Sequence, residues 1–176
     1  QVCWSKTPSS NLISYSSKYY QLDEKDSTSG LILRQLLKLS LKEEEYDSLA
    51  KYAIEFFNHP ASGMNDNEEE AAVLRQAAGF HSKIKDSRLR GEVHLKLAGA
   101  LFDLSSYKNA IQEYTTALET FEAKDSLLIA DSYFFRGQAH DSMGSLIKAM
   151  GDYQTANIIY EAQGKKDFQS YTLAGM

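Results

Sequence analysis

Four histidines, a run of three glutamates, two neighbouring aspartates and one cysteine are the side chains of this sequence that could do chemistry. An imidazole changes charge near neutral pH and binds metals, so His59, His81, His94 and His140 come first. None of them stands in an H-E-x-x-H motif, and no Ser/His/Asp arrangement is suggested by its local context. Glu68, Glu69 and Glu70 would hold a cation only if their carboxylates converged, but consecutive side chains on a helix point in different directions. Asp125 and Asp131 lie six apart on or near one helix and so do not share a face as a catalytic pair would. With Cys3 as the single cysteine, an internal disulfide and a cysteine-based zinc site are excluded. No G-x-S-x-G, Walker-type loop or G-x-G-x-x-G is present. The expectation is therefore a protein that is not an enzyme, with no catalytic residue, no metal and no cofactor.

The bulk composition narrows the partners. At 176 residues the chain is about one domain, long enough to bury a core without staples. A net charge of −5 argues against nucleic acid and against an anionic membrane surface, because phosphate contacts need a basic face. The most basic stretch, KIKDSRLR from Lys83 to Arg90, reads as a solvated helix end and connector. No apolar run approaches the roughly 18 residues of a membrane span, and no N-x-S/T sequon occurs. Gln1 in first position points to a removed leader or to a piece of a longer protein. A cytoplasmic setting is favoured, beside a secreted or periplasmic one.

Helical spacing dominates the elements that must position these residues. Residues 1–28 form a Ser-rich arm with one modest helix. Residues 29–90 form a divergent helical hairpin plus an extra helix. In its first helix Leu33, Leu36, Leu37 and Leu41 share a face, and in its second Leu49, Ala53, Phe56 and Phe57 share a stripe. Pro60 stops that second helix. After the loop ASGMNDNEEE, Asp66 or Asn67 caps a new helix, whose first turn holds the glutamate triplet where the helix dipole favours it. That helix is expected to run on to Ile84. Four further helices are expected near 91–104, 107–122, 127–143 and 146–162, with Tyr107 and Gly144 at the connections. No run alternates like a strand, so the class is all-α.

The last four helices are two copies of one unit. Ala110 falls on Ala149, Tyr114 on Tyr153, Ala117 on Ala156 and Ala98 on Gly137, each at an offset of 39 residues. This pattern of small residues in mid first helix, a Tyr at the turn, then Ala, an aromatic and Ala along the second helix resembles the tetratricopeptide repeat. The resemblance covers residues 91–162, with the start of a third unit from about Asp167. A more divergent copy has Tyr46 at its turn. The period is longer than usual, Leu146 replaces the second turn Tyr, and Arg136 stands where Leu is usual. What the resemblance implies is a right-handed solenoid of helical hairpins that acts as a protein-interaction scaffold or adaptor. The alternative is a structural module packing against neighbouring subunits of a larger assembly. His94 and His140 then fall where the units pack and are expected as satisfied core or boundary residues.

A solenoid of this kind offers a concave face in place of a deep pocket. The family's basic clamp for a C-terminal carboxylate needs Lys and Asn at places here held by Leu95, Gly99, Phe134 and Gln138, so that site is not carried over. The same face instead offers Leu95, Phe102, Phe134, Phe135, Gln138 and Asp141 as partner-binding candidates, with Glu92, Lys96, Asp103 and Asp131 around them. They suggest a groove for another protein or peptide, an apolar and amphipathic helix with mild basic character. Part of this set is expected to be buried between the units, and at least one of the adjacent Phe134 and Phe135 to be partly exposed. The final stretch DFQSYTLAGM reads as a first helix broken off in mid-unit. It implies that the protein continues, or that this end self-associates or docks onto another chain.

Overall fold

The computed structural model describes residues 10–22, 28–58 and 67–165. Cys3, His59, Pro60, Asp66 and the stretch from Asp167 to Met176 lie outside the described residues, and so do the expectations placed on them. Among the described residues eight α-helices follow one another: α1 Ser10–Tyr19, α2 Ser29–Lys42, α3 Tyr46–Asn58, α4 Asn67–Ala78, α5 Ser87–Asp103, α6 Tyr107–Thr120, α7 Ser126–Ser142 and α8 Leu146–Ala162. Short 3-10 turns at His81–Lys83 and Ala123–Asp125 lead into α5 and α7. No strand occurs among the described residues. Each helix packs on the next, and α5 also touches α3 and α7. The result is an all-α solenoid of helical hairpins packed between neighbours in sequence.

Three turns inside this array share one geometry. The N–H of Glu45, Ser106 and Ser145 donates to the carbonyl of Ser40, Leu101 and His140, at 2.9, 2.8 and 2.8 Å. The residue before each donor is left-handed, Glu44 at φ 59°, Ser105 at 57° and Gly144 at 71°. This closes the preceding helix by satisfying its last carbonyls, and one residue later the next helix begins. Glycine suits such a position sterically; Glu44 and Ser105 adopt it against their own preference.

Boundaries differ from expectation where one side chain intervenes. The helix expected to reach Ile84 stops at Ala78, where Gly79 ends it and the Phe80 ring settles 4.8 Å from Tyr46. α5 starts one turn earlier than residue 91, because the Asp86 carboxylate accepts from the N–H groups of Arg88 and Leu89 and caps it. α6 ends at Thr120 because Phe121 turns extended and lays its ring on Gly91, where a Cβ would stand only 2.5 Å from it. The basic connector is tied down locally: Lys83 lies over Tyr46 and Phe80, Arg88 pairs with Glu92, and Asp47 accepts from the backbone N–H of Lys85. The glutamate triplet separates as consecutive helix positions must, with Glu68 exposed, Glu69 paired to Arg34 of α2 and Glu70 buried.

The core follows the repeat. Leu33, Leu36, Leu49, Phe56, Leu74, Leu97 and Tyr114 are buried in one continuous cluster, each large side chain contributing about 1.5–3 kcal/mol on burial. Ala98, Ala110, Ala117, Ala149 and Ala156 are fully covered at the helix crossings. Gly137 is small for a visible reason, since a Cβ there would lie 2.8 Å from the Tyr153 ring. α5 and α7 are each 17 residues long and begin at Ser87 and Ser126, the same offset that relates their sequences.

Candidate functional site

α3, α5 and α7 line up along one side of the solenoid and enclose a cleft of about 330 Å³. Phe57 comes from α3. Leu95, Lys96, Gly99, Phe102 and Asp103 come from α5, and Leu128, Asp131, Phe135 and Gln138 from α7. Tyr114 of α6 forms the floor, stacked on Phe135 with ring centroids 6.3 Å apart. The periodicity of the helices produces this set: the faces of α5 and α7 that point away from α6 and α8 recur every three to four residues.

The cleft has an apolar middle and charged ends. Lys96 places its ammonium 5.4 Å from the Phe57 ring, a cation–π contact. Asp131 accepts a 2.6 Å hydrogen bond from the Tyr160 hydroxyl of α8. Burial pushes the Asp131 carboxyl above its usual range, and the Tyr160 bond and Lys96 pull against that shift. Burial also raises the Asp103 carboxyl and the Tyr114 hydroxyl. Among the described residues no serine, cysteine or histidine lines the cleft. It is a recess that takes apolar side chains and fixes charge at its rim.

Of the six residues expected to meet a partner, Leu95, Phe102, Phe135 and Gln138 come together here. Phe135 is 40% exposed, so it is not consumed by the core. Phe134 is not among them. It lies outside the cleft lining, half-buried with its ring 5.8 Å from Tyr153, because adjacent helix residues diverge by about 100°. Asp141 is also absent from the lining and stands exposed one turn beyond Gln138, toward the C-terminal end of α7. Phe57 and Leu128 were not expected. Phe57 does sit at the edge of the α3 stripe, one position past the buried Phe56, and that was the available signal.

Two of the histidines meet outside the cleft. His94 of α5 lies between Glu113 of α6, 2.7 Å from its Nδ1, and His81, whose Nδ1 is 2.8 Å from its Nε2. Burial, with the charges of His94 and Arg90, lowers the His81 pKa. His140 is lowered too, chiefly by burial. No group of three or more His, Cys, Asp and Glu side chains arranged to hold a metal occurs among the described residues. No helix among them is long and apolar enough to cross a membrane.

No family model matches the chain, and no curated protein matches it. Among the solved structures similar in fold are two of MamA. One, titled "Crystal structure of MamA protein", superimposes with a TM-score of 0.57 at 17% identity, covering 92% of this chain and 89% of that one. The other, "Crystal structure of MamA", gives 0.53 at 16%, covering 88% and 92%. At this identity the likeness is one of fold, a solenoid of helical hairpins along nearly the whole of both chains.

Proposed function

We propose that the protein is a non-enzymatic interaction scaffold that receives an apolar, amphipathic helical segment of another protein in the cleft between α3, α5 and α7. The observation that carries this reading is Phe135, a large aromatic left 40% exposed in a concave recess with Leu95, Phe102 and Phe57 around it. Exposed aromatics of this kind mark interaction sites, and buried as anchors they dominate binding energy. The units themselves fit the longer variant of the tetratricopeptide repeat. The test is selection of a displayed peptide library on the full chain, followed by binding to Phe135→Ala. Selected segments should lose about 2 kcal/mol or more of affinity while the variant keeps its melting behaviour. Selected peptides that bind Phe135→Ala as they bind the wild type would place the partner surface outside the cleft.

A second reading, a structural module of a larger assembly, is favoured by α8. Ile147 and Ile158 are 89% and 66% exposed there. The matching α6 positions hold Lys108 and Glu119. Sedimentation of the full chain against Ile158→Lys tests it: a concentration-dependent mass that the variant abolishes would support this reading, and a single monomer mass for both would remove it.

A further inference from the structure

The cleft is asymmetric in charge, and this says what its occupant carries. Near Asp131 the carboxylate is offset by Lys96, which lies close enough to act on it. At the other end Asp103 closes α5, and Asp141 lies one residue short of the end of α7. Both are exposed, and Gln138, three residues before Asp141, lines the cleft. α5 and α7 are matching first helices of successive units, so their C-terminal ends lie side by side. Each end adds the negative pole of its helix dipole to the formal charge of its aspartate. Neither helix has a basic lysine or arginine in its last turn to offset this; α7 has only His140. This end of the cleft is therefore negative twice over, and it opens directly onto the apolar middle formed by Phe102, Phe135 and Leu95.

We propose that the cleft recognises a segment with a lysine or arginine set beside its apolar anchors, and that the cation docks at the Asp103 and Asp141 end. The inference deepens the scaffold reading and rests on it. Opposite charge at an interface rim governs partner choice and association rate more than total affinity. The recognised chemistry is the inverse of a carboxylate clamp: a cation held by carboxylates and helix C-termini. Lys96 belongs to the opposite end, over Phe57, so the charges also set the direction in which the segment lies.

The probe is a pair of short synthetic amphipathic helices with the same leucine and phenylalanine face, one with lysines at both ends and its twin with glutamates. The lysine peptide should bind the full chain at least tenfold more tightly than its twin, and the margin should shrink as salt screens the exposed charges. The double variant Asp103→Lys/Asp141→Lys changes only exposed side chains, so it should fold normally and reverse the order of the two peptides. Equal binding of the twins, or a lysine preference that survives the double variant, would overturn the inference. If library peptides depend on Phe135 but carry no excess of basic residues, the inference falls and the scaffold reading stands. If no ligand depends on Phe135, both fall.

Discussion

The two C-terminal hairpins solve one packing problem with different residues. In α5–α6, Glu113 of the second helix pairs with His94 of the first. In α7–α8 the matching carboxylate is Asp152, and its partner is Arg136, in a two-pronged contact at 2.7 and 2.8 Å. Arg136 also reaches Thr115 of α6 at 3.2 Å, and so ties three helices together. The position Arg136 occupies is filled by buried Leu97 in the earlier unit. Two further pairs show the same exchange. Gly91 under Phe121 becomes Ala130 beside Tyr160, and Ala98 becomes Gly137 under Tyr153. Small beside large is kept at these crossings while some of the members change. The repeat therefore specifies volumes and one side-chain bridge to a carboxylate per hairpin, more than it specifies residue types.

Making the second hairpin like the first at one position gives the largest effect. Arg136→Leu copies Leu97 but strands the buried Asp152, which is expected to cost about 3–5 kcal/mol, because breaking a buried pair leaves an uncompensated charge. Arg136→Leu/Asp152→Leu should recover most of it. Denaturant unfolding of the two variants measures this, and a single variant as stable as the wild type would show that Arg136 does not clamp α6 to α8.

The small residues are the next lever. Ala110→Leu inserts a branched side chain where α5 and α6 cross and should cost roughly 1–3 kcal/mol. Ala149→Leu, at the matching crossing, should fall at the lower end of that range, since α6 is also pressed by α7 while α8 carries exposed apolar side chains. Thermal melting of both variants checks the order; an unchanged midpoint for Ala110→Leu would break the alignment of the two units.

The parts of this architecture that the sequence shows are those the repeat writes twice. Ala110/Ala149 and Tyr114/Tyr153 revealed the hairpins because small and aromatic residues recur at one offset. Leu95, Phe102, Phe135 and Gln138 could be placed on one side by the same register. The sequence could not say which of Phe134 and Phe135 faces the cleft, since that depends on where Tyr153 of the next helix puts its ring. Phe57 escaped because α3 lies in the most divergent copy, where no residue-by-residue match fixes its register against α5 and α7. Arg136 was visible as a departure from Leu, but its partner Asp152 has meaning only once the hairpin has closed.

The smallest expected effect separates the bridges by pH. Arg136 keeps its charge throughout, and Asp152 raises its pKa further by hydrogen bonding. The first hairpin depends on imidazoles. Ionised Glu113 only accepts, so the Nδ1 of His94 carries the proton, its Nε2 accepts, and the Nδ1 of neutral His81 donates to it. One added proton can be held by reversing the middle bond; a second sets N–H against N–H. The lowered pKa of His81 has the matching sign, with burial as its first cause. The unfolded chain takes up this proton below about pH 6.5, and the folded chain resists, so the stability contribution is whole above that pH and is lost as pH falls through the folded value. His140 acts in the same direction, so His81→Gln should remove only part of the slope. Melting temperatures of wild type and His81→Gln between pH 7.5 and 5 measure it. The variant should lose less on acidification than the wild type. Parallel curves would mean that the histidine pair contributes nothing to the pH dependence, and that the two bridges differ in residue type but not in behaviour.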